Sequence, residues 1–514
     1  MRMKNFGTRL KKFWSENYKI LLLFLVLSGV NFALLIKSFR QSGRGFDSWF
    51  FAIVILIFLA LSIGTGAILL IAKKKQWKIE KVFLIIGSVL GLAYTFIIPI
   101  GRVPDEPAHL WRVYGITEGC IIYPKDEDGK ASCKMPENVH IGNTYEKNGY
   151  LEVVENLSDT ASENYVAVSG PADSYSPINY IPQVIGVMIG KIFRMPMVAI
   201  VYLGRICNLA FCVAIIYLSL KYIPFGKKAL FMIACLPVTM QAFASVSADG
   251  TIICASIALI SFVLYQAYGK PKKEKFAWWH YAMILALCVA ITATKPVYAP
   301  ICLLLFWIPK ECFGGQKQKI IKILATGAAT LALMILWFVL AANLQAGNGG
   351  DAGGQISFIL SQPTKFLSIL FNNLISRPAY YLNMTFGRNL EWLDINLNSL
   401  YIAVMIAVFM VLCIEERYEA KMQKSLKIFL PIAIGGILVM IFTWFYIQWS
   451  TVGSTVIEGV QGRYFLPFLL LVPLCFIPIE KRKPDVALIN KYALYALIIL
   501  VNIHGLLTVL SAHL

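Results

Sequence analysis

Of the chain's 514 residues, 58% are hydrophobic and 15% are charged, a balance that a soluble protein of this length cannot carry without large exposed apolar patches. The formal charge of +19 comes from basic residues in short clusters between apolar runs, the distribution of a membrane protein and not of a nucleic-acid binder. The expected partner is therefore the lipid bilayer, with no nucleic acid.

Met1 to Lys12 is basic, and the apolar run after it ends at Lys37 with no small-residue cleavage site, so the first span is expected to stay in the protein. A hydrocarbon core of about 30 Å needs roughly 20 apolar residues per helix. On that measure the chain predicts thirteen spans, at about 20–36, 49–72, 82–100, 197–220, 229–246, 250–268, 277–292, 295–309, 320–342, 398–414, 428–449, 463–479 and 487–511. The fold class is an all-α integral membrane bundle, with an N-terminal cytosolic segment and two-span hairpin over 1–81 followed by a main module over 82–514. Placing the N-terminus in the cytoplasm makes every cytoplasmic segment basic: 1–19, 73–81, 221–228, 270–275, 310–322, 417–427 and 481–491 together hold 30 Lys and Arg against 6 acidic residues. That bias fixes the expected orientation. The pair 277–292 and 295–309 is split by Thr294-Lys295-Pro296, read as a tight outward hairpin.

Two outer segments are too long to be simple connections. The first, 101–178, carries 13 acidic and 6 basic residues, and a juxtamembrane helix is expected after it over 179–193. The second, 341–397, opens on Gly347, Gly349, Gly350, Gly353 and Gly354 and continues into Pro363 to Leu382, a pattern suited to helices lying along the interface. Nine of the 11 cysteines lie in or beside spans, where cysteine behaves as a small apolar residue. Cys120 and Cys133 share the first outer loop and can pair if it faces an oxidising compartment.

Chemistry-bearing residues cluster in a few strings. Pro104-Asp105-Glu106-Pro107-Ala108-His109-Leu110-Trp111-Arg112 follows the third span. A helix starting at Asp105 would put Asp105, His109 and Arg112 on one face with Glu106 adjacent. Asp105 as a plain N-cap is the simpler reading, but capping needs one polar residue and this turn gathers four ionisable groups at the bilayer. Gln461-Gly462-Arg463-Tyr464-Phe465 puts Arg463 at headgroup depth, where an interfacial anchor is the alternative. Arg205 lies deep in the fourth span and needs an anionic partner, either a carboxylate or a phosphate. Lys295 sits at the hairpin tip, and Asp249 either caps its turn or serves a site. Carboxylates near the surface with cations at headgroup depth suit a reaction on a lipid-linked phosphate.

PDEPAH and QGRYF, with Tyr175-Ser176-Pro177-Ile178-Asn179-Tyr180, Ser245-Val246-Ser247-Ala248-Asp249, Thr294-Lys295-Pro296 and Trp392-Leu393-Asp394, resemble a bacterial multi-spanning membrane family of unknown function. That family is grouped with the GT-C superfamily of glycosyltransferases that use polyprenyl-phosphate sugars. The resemblance runs from about Val82 to Leu514. It implies a cell-membrane protein whose active face is outside, with an acidic residue of the first large outer loop as catalytic base. That residue maps to Asp105, with Glu106 as the alternative and His109 beside them. It also implies basic residues holding the donor phosphate, here Arg463 and Lys295. Arg112, Arg205, Asp249, Asp394, Gln461 and Tyr464 complete the expected substrate contacts. The chain departs from the usual superfamily layout by placing two spans before the one that leads into the acidic loop.

The expected activity is inverting transfer of a sugar from a polyprenyl-phosphate donor to a cell-envelope glycan or lipid acceptor. A transporter or flippase of a lipid-linked saccharide is the alternative, since it needs the cations but no base. A non-catalytic partner of envelope machinery would use the acidic loop for docking. Asp105, Glu106 and His109 are also a weak candidate set for a divalent metal.

Overall fold

The computed structural model describes residues 2–41, 49–125, 131–142, 149–269, 274–342, 351–415, 421–479 and 488–513. Among these, eight helices are long and apolar enough to cross a membrane: Trp14–Lys37, Trp49–Lys74, Ile79–Ile97, Met197–Tyr222, Asp249–Gly269, Gln316–Ala341, Lys424–Gln448 and Lys491–His513. All eight fall on predicted spans. Gly347, Gly349, Gly350 and residues 270–273, 417–420 and 481–487 of the basic runs lie outside the described residues.

The other five predicted spans are not continuous helices of that length. Trp278–Thr292 and Ser399–Glu415 are helical but shorter. Three are broken: 229–246 becomes Lys227–Ala234 and Pro237–Phe243, the run after Lys295 alternates short 3-10 and α turns up to Trp307, and the run after Gln461 does the same up to Leu474. Proline is the local cause, since Pro237, Pro296, Pro300, Pro467 and Pro473 each remove an amide hydrogen. Irregular backbone at membrane depth survives only where protein surrounds it. Every residue from 229 to 250 is accordingly buried.

Lys491–His513 is the central helix, with residues Tyr492 and Leu494 to Leu507 all buried. Both N-terminal helices pack on it. Asn31 ties the first of them in place, donating to the Leu500 carbonyl at 2.9 Å and accepting from Tyr401 Oη at 2.5 Å.

Sheet structure among the described residues is confined to two small antiparallel pairs, both in the long loops. Cys133–Pro136 pairs with Tyr165–Val168, and Asn389–Leu390 with Ile395–Asn396. A disulfide joins Cys120 to Cys133, and the buried Arg112 donates to the carbonyls of Cys120, Ile121 and Tyr175. The first loop is thus a small folded unit on the bundle. Replacing both Cys120 and Cys133 by Ser releases a closed loop of sequence separation 13, a change of about 3 kcal/mol by loop entropy. Limited proteolysis should then cut within 101–178 at protease levels that leave the native protein intact.

The juxtamembrane helix expected over 179–193 forms as Pro177–Tyr180 and Ile181–Ile192, folded back on Met197–Tyr222. Gly186 allows the approach, because a Cβ there would lie 2.3 Å from the Leu203 carbonyl oxygen. Its other face exposes Ile181, Ile185, Ile192 and Phe193. In the second loop Ala352–Ser361, Pro363–Ser376 and Pro378–Thr385 are short helices. Pro363–Ser376 buries Phe366, Ile369 and Leu370 and exposes Leu367, Phe371 and Ile375, the two-sided pattern of an interfacial helix.

Candidate active site

The two long loops and three bundle elements enclose a cavity of about 320 Å³. Asp105 and His109 reach it from the PDEPAH segment, Lys295 and Tyr464 from the broken spans, Tyr175 from the first loop, and Trp444 and Trp449 from the end of Lys424–Gln448.

Asp105 occupies the N-cap position, its carbonyl accepting from the His109 amide at 3.0 Å, but its side chain does not cap. The helix begins one residue later, at Glu106. Its backbone is left-handed, with φ of 65°, a conformation that costs an L-residue roughly 1–2 kcal/mol and is visited mainly by Gly, Asn and Asp. This turn swings the carboxylate away from the helix end and towards the cavity, leaving the side chain 45% exposed. Arg463 Nη2 bonds Asp105 Oδ2, and Arg463 Nη1 donates to the Pro104 carbonyl at 3.0 Å. No described residue bonds Oδ1. Burial pushes the Asp105 carboxyl up, but the charge and hydrogen bond of Arg463 together with His109 hold the group below its ordinary value.

Arg463 also lies 3.5 Å from Asp249 Oδ2, and Lys295 Nζ reaches Asp249 Oδ1 at 2.5 Å. Four charges therefore alternate in sign along a row: Asp105, Arg463, Asp249, Lys295. The ring of Tyr464 packs under both cations, 5.2 Å from the Arg463 guanidinium carbon and 4.7 Å from Lys295 Nζ. His109 Nδ1 lies 2.6 Å from Tyr180 Oη. Burial pushes its imidazole down to about 4, against the pull of the Asp105 and Asp249 carboxylates, so the ring is neutral near pH 7 and contributes no charge to the row.

Gly462 fixes this arrangement. A Cβ there would lie 2.3 Å from backbone atoms of Met384 and Thr385, so only glycine lets the 3-10 turn Gly462–Phe465 run against the helix Pro378–Thr385. Gly462→Ala should displace Arg463 and cost about 1–3 kcal/mol of overpacking. The check is a fall in thermal unfolding midpoint together with a weaker Arg463-dependent activity.

Other expected site residues lie elsewhere. Glu106 is 1% exposed and turned away from the cavity. Its carboxylate takes Arg205 Nε at 2.8 Å, Arg205 Nη2 at 2.5 Å, and the amides of Gly101 and Val246 at 3.0 and 3.1 Å. The deep cation Arg205 thus has a carboxylate partner, and its remaining hydrogens go to the carbonyls of Thr95, Ile98 and Pro99. That leaves Asp105, Glu106 and His109 apart as metal ligands. Among the described residues no group of three or more His, Cys, Asp or Glu is placed to hold a metal ion.

Arg112 braces the disulfide loop, as above. Asp394 pairs with Arg102 at 2.6 Å, and Arg102 also bonds the buried Glu391, which faces His513 at 2.8 Å; these groups do not line the cavity. Gln461 borders a small hollow behind Arg463. The structure adds residues that sequence reasoning did not single out: Tyr175 on the cavity wall and Tyr180 behind His109, though both lie in a string that was noticed, and Trp444 and Trp449 as the aromatic wall. The two tryptophans read as ordinary interface residues at a helix end, so only their position distinguishes them.

A family model described as predicted membrane protein (DUF2142) matches residues 88–472. No curated protein and no solved structure matches the chain.

Proposed function

We propose that this chain, a member of the DUF2142 family of predicted membrane proteins, is a glycosyltransferase that moves a sugar from a polyprenyl-phosphate donor to a cell-envelope glycan or lipid on the outer face of a bacterial cell membrane. The observation that carries this reading is the half-exposed Asp105 carboxylate, its Oδ1 open to a cavity that Lys295 also lines, with Arg463 bonded to Asp105 beside it.

Asp105 Oδ1 takes the acceptor hydroxyl proton as the acceptor oxygen forms its bond to the anomeric carbon. The bond from that carbon to the phosphate oxygen breaks, and its electron pair leaves with the polyprenyl phosphate. Arg463 and Lys295 stabilise the charge that develops there, so the leaving group needs no proton. One displacement inverts the anomeric configuration. The aromatic wall of Trp444, Phe445 and Trp449 suits the apolar face of a sugar ring or the first isoprene units. A full complement of thirteen membrane crossings, counting the short and broken elements, and an outward-facing cavity complete the reading. The positive-inside bias supports that orientation.

The test is transfer by the purified full-length protein in nanodiscs, supplied with a panel of radiolabelled polyprenyl-phosphate sugars and envelope glycans and lipids. Labelled acceptor together with released polyprenyl phosphate is expected. Movement of an intact lipid-linked saccharide across vesicles, without transfer, would identify a transporter instead. In this assay Arg463→Ala should raise the donor concentration required by about tenfold or more, since a charge-assisted contact is worth about 1.5–3 kcal/mol. Lys at this position should rescue only part, keeping the charge and losing the planar fork. For orientation, a cysteine at Glu155 should be labelled by an impermeant reagent on intact cells and one at Lys75 should not.

A further inference from the structure

Lys295, which lines the cavity, and Arg463, which lies beside it against Asp105, already have carboxylate partners. Lys295 is held by Asp249, and Arg463 lies between Asp249 and Asp105. The charges in the row balance, and the neutral His109 adds none. A phosphate entering this site therefore finds no uncompensated cation and must take one from its partner.

Arg463 is the cation placed to give way. Its contact to Asp249 is long, at 3.5 Å, and its Nε is buried without a partner, so the guanidinium is not saturated where it sits. Both cations pack over the Tyr464 ring, but Lys295 meets its carboxylate through one short contact at 2.5 Å and has no second, unpartnered nitrogen to offer. Asp105, by contrast, gains reactivity when Arg463 leaves. A carboxylate bonded to a guanidinium is a weak base, because the cation stabilises the form that must accept the proton.

We infer that the donor's phosphate draws Arg463 off Asp105 when it binds, so that the donor itself switches the catalytic base on. This rests on the glycosyltransferase reading and goes beyond it by fixing an order: donor first, acceptor second. In the empty site Asp105 stays paired with Arg463. With phosphate bound, the groups that face Asp105 are the phosphate, His109, Asp249, Lys295, Tyr175 and Tyr464, and the positive neighbour that held its proton affinity down is engaged elsewhere. The acceptor O–H then meets a stronger base, and transfer proceeds with the bond changes given above. An empty site has little tendency to activate water or an acceptor before there is a sugar to transfer.

The probe is farnesyl phosphate, which has the lipid phosphate and no sugar, added to the full-length protein in nanodiscs. Infrared difference spectra between about pH 3 and pH 8 follow the protonated carboxyl of Asp105, assigned by its loss in Asp105→Asn, while phosphorus NMR reports binding independently. The expected result is a rise of about one unit or more in the Asp105 midpoint once phosphate is bound. Arg463→Gln is expected to start at a high midpoint with no phosphate present. A midpoint that does not move while phosphorus NMR shows bound phosphate overturns the inference and leaves the glycosyltransferase reading standing. So does a structure of that complex in which Arg463 still holds Asp105. Failure of farnesyl phosphate to bind at all overturns both.

Discussion

Asp105→Asn should leave the protein folded and inserted while lowering sugar transfer by about a hundredfold or more, the usual scale for a positioned general base. Asn is the conservative choice for a specific reason. Asp105 occupies a left-handed backbone conformation at φ of 65° that Asn also tolerates. It makes no capping bond that the substitution would break. The Asn amide can still accept from Arg463 through its oxygen, so the arginine keeps its seat. What disappears is the ability to take a proton. Full transfer activity in a variant with a native unfolding midpoint would remove Asp105 from the mechanism.

Glu106→Gln, one residue along, should have the opposite character: loss of the fold, with no specific loss of chemistry. The buried Glu106 carboxylate accepts from two arginine nitrogens and two backbone amides, so a Gln amide nitrogen must face at least one of those donors. The Arg205 guanidinium, itself fully buried, would be left without its counter-charge. Breaking one side of such a pair costs about 3–5 kcal/mol, a large part of the 5–15 kcal/mol that ordinarily separates folded from unfolded chains. Low yield, aggregation on extraction or a strongly lowered unfolding midpoint is the expected result. A well-folded Glu106→Gln with no transfer would exchange the roles of the two carboxylates.

The contrast between these neighbours marks where sequence reading stops. In the sequence, Asp105 is the expected base with Glu106 as the alternative, because both are acidic residues at the start of a helix beside a membrane and nothing local separates their roles. Their difference comes from one left-handed residue. It points Asp105 into the cavity and lets the helix begin at Glu106, which turns that side chain towards the bundle and Arg205. A backbone dihedral at a single non-glycine position leaves no periodic trace in a sequence.

What the sequence determined by itself was whatever depends on local composition. Apolar runs of sufficient length gave, among the described residues, eight helices long and apolar enough to cross a membrane where expected, since burying a peptide in lipid leaves the helix as the cheapest way to satisfy its hydrogen bonds. The same logic placed the two long polar loops, and it required a counter-ion for the deep cation Arg205 while leaving open a carboxylate or a phosphate. Tertiary structure decided the rest. It chose Glu106 as that counter-ion. It surrounded the runs 229–246, 295–309 and 463–479 with protein, so that the breaks at their prolines are tolerated; hydropathy alone passes over those breaks because the broken segments stay as apolar as intact helices. It also brought Asp105, Asp249, Lys295 and Arg463 into one row from four separate segments of the chain. Charges so far apart in sequence meet only in the folded bundle, where a carboxylate out of bulk water is best accommodated beside a cation from another segment.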